Sequence, residues 1–214
     1  MAADTRIKIC GINSPDSLEA AIAARASHVG FNFFPPSPRF ARPELAARLS
    51  RQAAGRILRV GVFVDADDGF LAETLAASPL DALQFHGSES AERVAQAKAR
   101  FGLPVWRVLS VSSREDLQRT AVFAEAADFL LLDANTPKGT LPGGMGLSFD
   151  WNLLSGWKSP LPWGLAGGLS PSNVCDAIRT TCAPLVDTAS GVESAPGVKD
   201  ASLIAAFCTA AASA

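Results

Sequence analysis

Eight short apolar runs, spaced along the whole chain, constrain the fold more than any other feature. They are 6–10 (RIKIC), 28–33 (HVGFNF), 57–64 (ILRVGVFV), 81–85 (DALQF), 104–109 (PVWRVL), 127–133 (ADFLLLD), 161–167 (LPWGLAG) and 185–190 (LVDTAS). Each is apolar almost without interruption, the pattern of parallel strands covered on both faces. Ala-rich amphipathic stretches separate them. The first opens with Ser14 as N-cap and Pro15 at the first helical position. The sixth, around FDWNLLSG (149–156), is the shortest. Eight strands alternating with eight helices predict one (β/α)8 barrel domain over residues 1–214, the alternative being a doubly wound open sheet.

Composition narrows the function. Lys plus Arg is 19 and Asp plus Glu is 21, a net charge of −2. No basic face is implied, so a nucleic-acid partner is not expected, and a small anion has to be held by a local site. No run is long and apolar enough to span a bilayer, and MAADTRIKIC lacks the apolar core of a signal peptide. Cys10, Cys175, Cys182 and Cys208 match neither a zinc signature nor a CxxC pair. They read as reduced thiols in a cytoplasm.

Barrel enzymes carry their chemistry at the C-terminal ends of strands and in the loops that follow. The first run ends in Lys8-Ile9-Cys10-Gly11, and alternation sets Lys8 and Cys10 on one side. Cys10 is either a general base, if its pKa falls below the ordinary value of about 8.5, or a buried inert thiol. After the second run, Pro35, Pro36 and Pro38 stiffen the loop that carries Arg39. A guanidinium held there can grip a carboxylate or phosphate in bidentate fashion; otherwise it is an exposed charge on a rigid turn. The fourth run leads into His86, either a substrate contact or a helix-entry residue bonded to backbone. The other histidine, His28, enters the second strand, where a structural role is expected.

Three leucines deliver Asp133 to the end of the sixth run. An apolar setting favours the protonated carboxyl that a general acid requires, whereas capping of loop amides favours the carboxylate. A long Gly-rich stretch, 136–146, follows and is expected to close over substrate, and Asp150 is expected to cap the sixth helix. The seventh and eighth runs end in Gly167-Gly168 and Ser190-Gly191. Glycines let backbone N–H groups approach an anion, and barrel phosphate sites are built from these two loops.

The ordered set KICGI (8–12), GFNFFPPSPRF (30–40), RVGVFVD (59–65), LQFHGSE (83–89), LLLDA (130–134), GGMGLSFDW (143–151), LAGGLSP (165–171) and VDTASGVESAPGVKD (186–200) resembles the phosphoribosylanthranilate isomerases, a family of tryptophan biosynthesis. The resemblance spans essentially the whole chain. It implies Cys10 as general base and Asp133 as general acid. It further implies Arg39 on the anthranilate part, His86 lining the site, and phosphate against Gly167, Gly168, Ser190 and Gly191. The reaction implied is an Amadori rearrangement of a phosphosugar amine, with no cofactor and no metal, in the cytoplasm. A monomer is expected ahead of a homodimer. Two positions depart from the family pattern: Met145 stands where Thr is usual, and Ala189 where Ser is frequent. An isomerase of histidine biosynthesis would want Asp where Cys10 stands. A lyase or synthase of the same pathway would want a strand-end lysine, for which Lys8 is a weak candidate. A non-catalytic phosphosugar-binding barrel is the reading from another class, and the Cys10–Asp133 pair argues against it.

Overall fold

Eight parallel strands close on themselves in chain order in the computed structural model, which describes residues 5–134 and 148–214. They are β1 (Arg6–Cys10), β2 (His28–Asn32), β3 (Leu58–Phe63), β4 (Ala82–Phe85), β5 (Val105–Val111), β6 (Phe129–Ala134), β7 (Trp163–Leu165) and β8 (Leu185–Thr188). Closure sets Lys8 of β1 opposite Asp187 of β8. The barrel is the architecture that the eight apolar runs predict, and the bounds of β1 agree to the residue. The Gly-rich stretch 136–146, with Met145, lies outside the described residues.

Helices follow most strands: α1 (Pro15–Ala23), α2 (Pro43–Ala53), α3 (Asp68–Ala77), α4 (Ala91–Phe101), α5 (Arg114–Gln118), α6 (Val174–Thr181) and α7 (Ala201–Ala212). Their ends obey local chemistry. Ser14 accepts the Ser17 N–H ahead of Pro15 to start α1, and Gly102 ends α4 in the left-handed conformation. The expected sixth helix is corrected. Among the described residues the β6–β7 connection forms only the 3-10 turn Trp151–Leu154, capped by Asp150 as anticipated. Gly156, at φ +74°, terminates it, and Pro160 and Pro162 prevent a helix from resuming. A short hairpin, β9 (Glu193–Ala195) and β10 (Val198–Lys199), is added before α7.

Two layers of core follow from strand alternation. Outward-facing Ile7, Ile9, Val29, Phe31, Phe63, Leu83, Leu130 and Leu132 pack under the helices. Inward-facing Val60, Ala82, Trp106, Val108, Phe129, Leu131, Ala166 and Leu185 fill the barrel. Trp106 stacks on Phe129 with ring centroids 4.4 Å apart, and His28 meets Trp106 edge-on at 5.3 Å. Burial, with Arg6 and Lys8 adding, pulls the His28 pKa down to about 4, so this histidine is a neutral part of the core. The lower barrel is therefore plugged by rings, and its polar side chains collect at the upper, C-terminal end.

Candidate active site

Alternation along β1 points Lys8 and Cys10 into the barrel. Lys8 is wholly buried and donates to Asp187 Oδ1 at 3.0 Å across the closing seam. Gly30 of β2, the register partner of Cys10, leaves the space these groups need. A Cβ there would stand 2.9 Å from Cys10 Sγ and 3.3 Å from Lys8 Nζ. Thiol and ammonium thus share one small volume.

The electrostatics of this cluster follow from burial and proximity. Burial works against the Lys8 ammonium, but Asp187 and Cys10 outweigh it, and its pKa lies above the usual lysine value. Burial pushes the Asp187 carboxyl up against the pull of Lys8, with Asp133 adding to the rise. Burial also pushes the Cys10 thiol up, while Lys8 and, more weakly, Lys199 pull it down. The direction is opposite to the lowered pKa that favours a general base: the barrel mouth desolvates the thiolate more than two ammonium groups compensate.

Asp133, the penultimate residue of β6, faces inward and is buried. Its Oδ1 accepts the Ala134 N–H at 2.8 Å, and its Oδ2 lies 3.3 Å from His86 Nε2. One oxygen thus caps a backbone amide, as one of the two sequence readings has it, and the other faces an imidazole rather than an apolar wall. Asp187 also feels the charges of Asp133 and His86, so the groups at the ends of β1, β6 and β8 act on one another electrostatically.

Arg39 is not the exposed charge of a rigid turn. It is largely buried, and its Nε and Nη2 donate to Glu193 Oε1 and Oε2 at 2.8 and 2.7 Å. Glu193 is also bonded by Lys199 Nζ at 2.7 Å and by the Gly197 N–H at 3.2 Å. Burial opposes the Glu193 carboxylate, but Arg39 and Lys199 outweigh it and hold its pKa below the usual range. The β9–β10 hairpin thus fixes the guanidinium that the Pro-rich loop carries. Lys199 also donates to the Ala189 carbonyl at 2.8 Å, so the backbone at Ala189 is anchored there.

The loops after β7 and β8 meet. Gly167 and Gly168 have φ of +86° and +62°, a conformation L side chains rarely adopt. A Cβ on Gly167 would stand 2.5 Å from the Ala134 nitrogen and 3.0 Å from Asp133 Oδ1. A Cβ on Gly191 would collide with the Leu169 carbonyl, which accepts from Thr188 Oγ1 at 2.7 Å. Asn173 ties the first of these loops, donating to Gly168 O at 2.9 Å and accepting the Ser170 N–H at 2.8 Å. The four positions read from the sequence therefore lie on two loops in contact beside Asp133. Among the described residues, no group of three or more His, Cys, Asp or Glu is placed to hold a metal ion.

Lys8, Asp187, Glu193 and Lys199 are the members of this cluster to which sequence reading gave little or no role. A weak signal existed, since Lys8 is two residues before Cys10 and Asp187 is in phase with inward-facing Leu185.

Comparison with known proteins places the chain in a family. The sequence profile described as N-(5'phosphoribosyl)anthranilate (PRA) isomerase matches residues 7–210. An N-(5'-phosphoribosyl)anthranilate isomerase of Paramagnetospirillum magneticum is 51% identical over 206 residues, covering 96% of each chain. One of Paracoccus denitrificans is 51% identical over 202 residues, covering 94% of each chain. Among solved structures, the phosphoribosyl anthranilate isomerase of Thermotoga maritima superposes with a TM-score of 0.88 at 34% identity. That superposition covers 98% of this chain and 100% of the other. A phosphoribosyl anthranilate isomerase in complex with reduced 1-(o-carboxyphenylamino)-1-deoxyribulose 5-phosphate superposes with a TM-score of 0.86 at 32% identity, covering 98% and 100%. With the closed barrel, the polar mouth and relatives matching nearly end to end, the chain belongs to the N-(5'-phosphoribosyl)anthranilate isomerase family.

Proposed function

We propose that Cys10 and Asp133 act as base and acid in the Amadori rearrangement of N-(5-phospho-β-D-ribosyl)anthranilate to 1-(2-carboxyphenylamino)-1-deoxyribulose 5-phosphate. The observation that carries this reading is that β1 and β6 turn Cys10 and Asp133 inward at the same end of the closed barrel, with the 3.0 Å Lys8–Asp187 pair beside the thiol. Asp133 gives a proton to the ribose ring oxygen, and the C1′–O bond opens to a Schiff base. Cys10 then takes the C2′ proton, and the enolamine tautomerises to the ketoamine. One acid and one base, positioned on opposite sides of a sugar, suffice. Lys8 keeps a positive charge beside Cys10, which favours the thiolate at the moment it is needed. Four free thiols are consistent with a cytoplasmic enzyme.

Arg39 takes the anthranilate carboxylate, with Glu193 holding its fork in place. Arg39→Ala is expected to raise KM about tenfold or more, with a smaller effect on kcat. Steady-state kinetics check this, and a change confined to kcat means that the role is misassigned. The phosphate lies on the loops bearing Gly167, Gly168, Ser190 and Gly191. Gly191→Ala has to push the backbone carbonyl of Leu169 aside, so KM should rise together with a loss of stability. Titration with inorganic phosphate, followed by amide chemical shifts, should move signals from these four residues. Shifts confined to other loops would contradict the placement.

A further inference from the structure

We propose that Arg107 and Glu89, which lie outside the barrel mouth, form a positioning strut that sets how His86 meets Asp133. Arg107 stands on β5 in register with Phe85 of β4 and faces outward, buried under the helical layer with its guanidinium 5.3 Å from the Phe123 ring centroid. Its Nη1 donates to the Phe85 carbonyl at 3.1 Å, and its Nη2 donates to the Gly87 carbonyl at 2.9 Å. These carbonyls flank His86. The guanidinium fork therefore clamps the backbone on either side of the imidazole without touching it.

Glu89 completes the device. Its Oε2 accepts from Arg107 Nη1 at 2.7 Å and from the Gly87 N–H at 2.9 Å, and its Oε1 accepts the Asp65 N–H at 2.8 Å. Asp65 has φ +49°, unusual for a residue with a side chain, and its Oδ1 accepts the Ser88 N–H and hydroxyl at 2.7 and 2.9 Å. Gly87 is required because a Cβ there would stand 2.5 Å from that same oxygen. The His86 N–H donates to the Phe63 carbonyl at 2.8 Å. The loops after β3 and β4 are thus locked together, with His86 at the point where the bonds converge.

A turn does not need a buried ion pair to hold its shape, and burying one brings little net stability. Here Arg107 Nε is buried with no hydrogen-bond partner among the described residues, a further cost. What the pair supplies is a fixed angle for one side chain, and that side chain faces Asp133 at 3.3 Å. This inference rests on the reading of Asp133 and His86 as part of the site.

With only two histidines in the chain, the test is direct. Imidazole proton resonances are recorded for the unaltered protein and for Arg107→Met, Arg107→Lys and Glu89→Gln, with His28→Gln giving the assignment. The His86 resonance should shift or broaden in Arg107→Met and Glu89→Gln while that of His28 stays in place. Arg107→Lys should not restore it, because one ammonium cannot span both carbonyls. In parallel, kcat should fall about tenfold in Arg107→Met, the scale of a small misplacement, with KM little changed. That fall should vanish when the same substitution is made in His86→Ala. Glu89→Gln keeps the shape of the side chain and serves should Arg107→Met not fold. An unmoved His86 resonance in folded variants, or an equal fall in kcat with and without His86, overturns the strut. Unchanged turnover in His86→Ala overturns the role of His86 instead, leaving the strut to the resonance data.

Discussion

Cys10→Ala should lose nearly all turnover while binding substrate almost as well as the unaltered chain. Loss of a positioned proton-transfer group costs a factor of about 10²–10⁴, and that loss should fall on kcat because a thiol adds little to ground-state grip. Cys10→Ser should be similarly poor, since a hydroxyl is far harder to ionise. Asp133→Asn should match it, because the amide keeps the shape but has no proton to give the ring oxygen. The pH dependence has a definite sign. Burial pushes the Cys10 thiol up, so the limb of kcat/KM governed by Cys10 should lie above the ordinary thiol value of about 8.5. Lys8 is the main group pulling the thiol down, so Lys8→Gln should move that limb to still higher pH. A limb that stays in place in Lys8→Gln would show that the ammonium does not act on the thiol. Near-normal kcat in Cys10→Ala would make the assignment of the base wrong, with His86 as the next candidate.

Asp187→Ala should destabilise the fold by about 3–5 kcal/mol, the scale of leaving one member of a buried ion pair without its partner. Lys8 has no access to solvent, and Asp187 lies 3.0 Å from its ammonium. With the carboxylate gone, the lysine either keeps an uncompensated charge inside the barrel or gives up its proton. The urea midpoint, at unchanged slope, reads the loss. The double variant Lys8→Met with Asp187→Leu should recover most of the stability, because a well-packed apolar pair often equals a buried ionic one. It should not recover turnover, since the charge beside Cys10 is gone. A loss below about 1 kcal/mol in Asp187→Ala would mean that the pair is solvated or neutral in the folded chain.

Periodicity is a local property, which is why the barrel could be read from the chain. The run RIKIC became β1 with the same ends because its apolar character and its Gly11 stop are both written in consecutive residues. The sixth helix departs from its expected form for a related reason. FDWNLLSG carries helix-like hydrophobic spacing, but its short length, Gly156 and the prolines at 160 and 162 leave room for one 3-10 turn. The helix after β5 likewise stops at Gln118 and continues as a 3-10 turn to Phe123.

Among the site residues, Cys10, Asp133, His86 and Arg39 were found by asking which polar groups end a strand or ride a stiff loop. Lys8 and Asp187 escaped because their partnership depends on the closing seam between β1 and β8, 179 residues apart in sequence. Glu193 escaped for the same reason. Its bond to Arg39 spans 154 residues and depends on a hairpin that no apolar run announces. Local pattern identifies which groups reach the mouth, and strand adjacency decides which of them face one another.

The fluorescence of N-(5'-phosphoribosyl)anthranilate, followed after mixing with the unaltered chain, with Cys10→Ala and with Asp133→Asn, tests the Cys10–Asp133 mechanism most directly. Rapid loss is expected with the unaltered chain, without added metal or cofactor, and loss about 10²–10⁴-fold slower with either variant at saturating substrate. Loss no faster with the unaltered chain than in buffer, or equally fast with all three proteins, would contradict it.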